Sequence, residues 1–68
     1  MVNTQLLDAK IDRSGLRIGH IVETIGISRQ GFDKRRKGKN RFRKSEIYVL
    51  CDLLHLTEED KNAIFFAD

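Results

Sequence analysis

A chain of 68 residues forms one domain at most, because a protein this short buries only about 60% of the surface that its unfolded form exposes. With 40% apolar and 34% charged residues and no proline, its composition is globular rather than disordered. The lone Cys51 excludes an internal disulfide and fits a reducing compartment. No apolar run reaches the roughly 20 residues that span a bilayer, and no signal-peptide core follows Met1, so a soluble cytoplasmic protein is expected. The net charge of +3 conceals a sharper asymmetry. Residues 34–44, KRRKGKNRFRK, hold eight of the 13 Lys and Arg and no acid, leaving a formal −5 on the rest of the chain. A focused positive field on an acidic body suits a polyanionic partner, although a basic run taken alone is often only a solvated loop.

Helical periodicity runs through the sequence, and no segment alternates as a strand does. The first helix is expected over about 3–13, with Leu7 and Ile11 on one face, Leu6 beside them, and Asn3 or Thr4 as the cap. Ser14-Gly15 supplies the left-handed turn that closes it. Ile18, Ile21, Val22 and Ile25 then form one apolar stripe at i, i+3, i+4 and i+7. Gly26 ends that helix, Ile27 pins the joint, and Ser28 caps a third helix over about 29–37. Phe32 is its only strong apolar residue. After Gly38, the loop KNRFR has Phe42 as its anchor. Ser45 is expected to cap a fourth helix, with Glu46 near the positive end of its dipole and Ile47, Leu50, Cys51 and Leu54 as its stripe. Thr57 opens a fifth, where Asp60 takes the usual Glu position of a capping box, and Ile64, Phe65 and Phe66 form the apolar end.

The informative unit is 18–37: an amphipathic helix, the turn Gly26-Ile27-Ser28, then a short basic helix with one aromatic anchor. Such a turn lets two helices meet steeply. An α-helix fits the DNA major groove, where Arg pairs bidentately with guanine and Gln with adenine. Arg29 and Gln30 stand where a groove-entering helix reads base edges, with Lys34 one turn on and Asp33 beside it. Asp33 alternatively pairs with Lys37 or Arg36.

The stretch from Gly15 to Leu56 resembles the Xre-type helix-turn-helix of phage repressors and Cro proteins. Gly15-Leu16, Gly26-Ile27-Ser28-Arg29, Phe32, Gly38-Lys39 and Ser45-Glu46-Ile47 carry the likeness, and Asp52-Leu53-Leu54 and Ile64-Phe65-Phe66 look like short phage-like members. The resemblance implies an all-α, five-helix lambda-repressor-like bundle over 1–68, acting as a double-stranded DNA-binding regulator, either a repressor or a Cro-like operator binder. It implies base contacts from Arg29, Gln30, Asp33 and Lys34. Phosphate contacts are implied from Ser28, Lys37, Lys39, Asn40 and Arg41, and Arg43 is a further cation able to share that work. Two departures stand out. Ile18 and Gly19 replace a common Gln and a common acid, and Arg35 and Arg36 fall near a position that is usually apolar. One of these arginines must therefore lay its stem on the core and snorkel, or the helix frays there.

A weak homodimer, stabilised on DNA, is expected through the last helix, with Phe65 and Phe66 as its contacts. Both rings cannot easily face one small core, so one docks at home and the other is free for a partner. His20 and His55 are far apart and lack metal-ligand spacing, so no metal or other cofactor is expected. Cys51 reads as a buried core thiol and Tyr48 as peripheral packing. No phosphate-cradling loop or Ser-His-Asp set is present, so neither an enzyme nor a small-molecule substrate is expected. Two other readings remain: a protein-interaction module such as an antirepressor or complex subunit, and an RNA binder. The latter usually needs open stacking aromatics.

Overall fold

The computed structural model describes residues 2–66. Five helices follow one another with no strand among the described residues: α1 (Thr4–Ser14), α2 (Ile18–Ile25), α3 (Arg29–Arg36), α4 (Lys44–Leu54) and α5 (Glu58–Phe65). Each helix is too short to be stable alone in water, so packing of its apolar stripe must hold it. Each sends one side chain wholly out of solvent: Leu7, Ile21, Phe32, Leu50 and Ile64. Around these lie Ile11, Val22, Ile47, Leu54 and Phe65, with Phe42 from the loop before α4. Helix α4 is central, lying against α1, α2 and α5, while α3 rests on α2. The radius of gyration of 10.7 Å matches the roughly 11 Å of a close-packed chain of this length.

Local chemistry sets the ends of the helices. Asn3 caps α1 by accepting the Leu6 N–H at 3.1 Å. Thr4, the other candidate, instead donates its hydroxyl to the carbonyl of Arg36. At α5 the capping box forms as the sequence predicts: Thr57 Oγ1 accepts the Asp60 N–H at 3.0 Å, and Asp60 Oδ2 accepts the Thr57 N–H at 3.1 Å. The Thr57 N–H holds the Asp60 carboxyl below its ordinary pKa, with Lys10 adding a smaller pull.

Helix α4 departs from expectation. Its N-cap is Arg43, not Ser45, and Glu46 supplies the cap by accepting the Arg43 N–H at 2.8 Å. Glu46 is thereby buried rather than displayed to the helix dipole from the surface. Helix α3 ends at Arg36, with Lys37 as its C-cap. Cys51 is half-buried on the rim of the α4 stripe rather than sealed in the core, and that partial burial pushes its thiol pKa up. His55 closes α4 at φ 53°, in the left-handed region that His adopts more readily than most residues with a side chain.

The turn between α2 and α3 depends on Gly26, whose φ is +88° and whose missing Cβ would meet no atom within 4 Å. Its requirement is therefore one of backbone conformation, not of space. Replacement of Gly26 by Ala should lower stability by about 1–2 kcal/mol, read as a lower midpoint in urea or heat with the helical circular dichroism of the folded state unchanged.

Candidate functional site

Two bonds turn the chain sharply at the end of α2. The N–H groups of Gly26 and Ile27 both donate to the carbonyl of Val22, at 2.8 and 3.1 Å. Ile27 packs half-buried against the core, and Ser28 Oγ accepts the Gly31 N–H at 2.9 Å, starting α3 after a turn of three residues. The Ser28 hydroxyl proton is still free to donate outward.

Helix α3 has two unlike faces. Phe32 is fully buried, and Arg35 and Arg36, three and four residues on, share its inward side. Gln30, Lys34 and Lys37 lie on the opposite side and are exposed, as is Arg29 at the leading end. Asp33, between the two faces, is half-buried and bound to Arg36 Nη2 at 3.2 Å. Of the two cations that the sequence offers it, Lys37 and Arg36, Arg36 is the one paired.

Both inward arginines end on carboxylates, Arg35 inside the fold and Arg36 at its partly exposed edge. Arg35 Nε donates to Glu46 Oε1 at 2.9 Å, with the two side chains 16% and 8% exposed. Arg36 Nη1 reaches Asp8 of α1 at 3.0 Å. Together with the Thr4 hydroxyl on its carbonyl, this ties the end of α3 to α1. Acids from two other helices thus grip the C-terminal end of α3, while Arg29 and Gln30 at its leading end are open to solvent. The sequence marks the problem, two arginines where apolar residues would serve, but not the carboxylates that solve it.

The segment after α3 is ordered by its own backbone. Gly38, at φ +84°, lets its N–H reach the Arg35 carbonyl at 3.1 Å and the Lys39 N–H reach the Lys34 carbonyl at 2.8 Å. This paired closure is the Schellman arrangement. Lys39, Asn40, Arg41 and Arg43 are exposed, and between them Phe42 is buried edge-on against Phe32 and Phe65, with ring centroids 6.0 and 5.4 Å apart. Of the eight cations in residues 34–44, Arg35 and Arg36 are neutralised internally. The other six, Lys34, Lys37, Lys39, Arg41, Arg43 and Lys44, are exposed and form no ion pair among the described residues.

One part of this surface escaped the sequence reading. The N-cap of α2 is Arg17, and no side chain caps the helix, so its first-turn N–H groups are available to an outside acceptor. Arg17, Gly19 and His20 border a concavity that Arg29 and Arg36 also line. A basic N-cap without a capping side chain, followed two residues later by glycine, is the signal that could have found it. Ile18, where the family resemblance leads one to expect Gln, packs against the core instead.

The two aromatic residues expected at a dimer contact separate. Phe65 is only 7% exposed and belongs to the core, which removes it as a surface contact because its ring is spent on Phe42. Phe66 is 57% exposed, as is Tyr48. No described helix is long and apolar enough to cross a membrane. Compared with family models, curated proteins and solved structures, the chain gives no significant match.

The two arginine grips should differ in worth. Asp8 and Asp33 are 45% and 42% exposed, so their pairs with Arg36 are screened, and Arg36→Met should cost at most about 1 kcal/mol. Arg35→Met leaves Glu46 buried without its cation and should cost about 3 kcal/mol. Denaturant midpoints of the two variants, measured side by side, test that order.

Proposed function

We propose that this chain is a sequence-specific double-stranded DNA-binding regulator of transcription, a repressor or Cro-like operator binder. In this reading it is a lambda-repressor-like bundle in which α2 and α3 form the helix-turn-helix. The observation that carries the proposal is the asymmetry of α3: ion pairs hold the inward side of its far end, the Arg35–Glu46 one buried, while its leading end and outer side present Arg29, Gln30 and Lys34 to solvent. A helix held this way can enter a major groove with its leading residues against base edges. Ser28, Lys37, Lys39, Asn40, Arg41 and Arg43 would take phosphates, joined by Arg17 and the start of α2. Phosphate contacts set register and supply most of the affinity, while base contacts select the sequence. Asp33 is a weaker candidate for base contact than its neighbours, because Arg36 occupies it. Repression would follow from occupying a promoter-overlapping site and excluding polymerase.

A two-fold pair of protomers would set recognition helices about 34 Å apart on one face of the duplex, with Phe66 rather than Phe65 at the contact. A protein-interaction module is the second reading, favoured by two aromatic side chains, Tyr48 and Phe66, each 57% exposed.

Selection of bound duplexes from a random pool, followed by titration in rising salt, separates these readings. For about six neutralised phosphates, log affinity should fall against log salt with a slope of roughly −5. The selected site should take two protomers. Arg29→Ala should relax preference at one base position by about 1–3 kcal/mol, whereas Lys39→Ala should weaken all sequences alike. A chain that selects no site and responds flatly to salt is not this regulator, and the interaction-module reading then takes its place.

A further inference from the structure

Glu46 stands apart from the exposed surface, with only 8% of its side chain open to solvent. Its Oε1 nevertheless accepts from two segments that the proposed interface needs. Arg35 Nε, from α3, lies at 2.9 Å, and the N–H of Arg43, which closes the basic loop, lies at 2.8 Å. The same guanidinium reaches along its own helix, donating from Nη1 to the carbonyl of Gly31 at 3.0 Å. Gly31 leaves the space for it: a Cβ there would lie 2.9 Å from Arg35 Nη1 and 3.1 Å from Ser28 Oγ. Glycine is a poor helix former, so its place inside α3, beside Gln30, fits the need to admit that side chain. One carboxylate oxygen thus joins the helix that bears Gln30 to the loop that bears Lys39 and Arg41.

We infer that Glu46 is a positioning residue for DNA recognition, fixing the base-facing helix and the phosphate-facing loop in one register through Arg35 and Arg43. The inference rests on the DNA-binding reading above. Hydrogen bonds to bases weaken steeply once distance and angle drift. Phosphate contacts made by the loop can therefore aim Arg29 and Gln30 only while loop and helix move as one body. If they move separately, attraction to any duplex persists and discrimination falls.

The test uses the full chain and the duplex that it selects from a random pool, set against a random duplex of equal length. The readouts are the ratio of the two dissociation constants and the salt slope on the random duplex, with melting and circular dichroism to establish folding. The double variant Arg35→Met/Glu46→Met removes both charges and keeps the bulk, an exchange that often preserves or raises stability. It should retain random-duplex affinity and salt slope while the ratio falls at least tenfold. Glu46→Gln, whose amide oxygen still accepts both bonds, should hold the ratio within about threefold of the parent. Arg35→Lys keeps the charge but cannot reproduce the Nε and Nη1 contacts, and serves as the second folded variant, with a fall of several-fold. A parental ratio in either folded variant, double or Arg35→Lys, overturns the positioning role alone. A parent chain that selects no duplex overturns the DNA reading, and the positioning role with it.

Discussion

The third helix has too little apolar surface to hold itself down, and the buried pair of Arg35 with Glu46 is what compensates. Phe32 is its one fully buried side chain, and a single ring cannot fix both the tilt and the rotation of an eight-residue rod. A carboxylate taken out of water must be met by a cation and by donors, or the fold loses more than it gains. Glu46 is met by both, and the same contacts that satisfy it orient α3 and begin α4. The weaker link from Arg36 to Asp8 steadies the helix from the other side.

This arrangement divides one basic run into two populations. The arginines at 35 and 36 are structural cations, each already opposed by carboxylates. The cations at 34, 37, 39, 41, 43 and 44 are exposed, and their mutual repulsion is tolerable because water and salt screen them. A surface of that kind favours any extended anion that can neutralise several charges together. The exposed positive field therefore comes from the beginning and outer side of α3 and from the loop that follows, while the inward side of the same helix is close to neutral.

Much of the fold was legible in the residues. The i, i+3, i+4, i+7 stripes of α2 and α4 name core residues correctly, except that Ile18, Ile25 and Cys51 are half-buried. Gly26, Ser28, Asn3 and the Thr57–Asp60 box place helix ends because each satisfies backbone donors or relieves φ within a few residues of itself. The failures share the opposite character. Arg43 rather than Ser45 caps α4 because Glu46 is called inward by Arg35, eleven positions away. No local rule distinguishes an acid facing water from one facing an arginine across the core. The partners that Arg35 and Arg36 find on other helices, and the inward turn of Phe65, likewise depend on tertiary neighbours. Exposure of Arg29, Gln30 and Lys34 was foreseeable, since helical spacing sets them opposite or beside Phe32.

Phe42 sits between Phe32 and Phe65, with both neighbouring rings meeting it edge-on. A short cationic segment with no such ring would sample many shapes in free solution, and each would have to be given up when an anion arrived. Here that loss is incurred once, when the chain folds. The residues around Phe42 therefore meet any partner already shaped, and the strength of that encounter is bound to the integrity of the core.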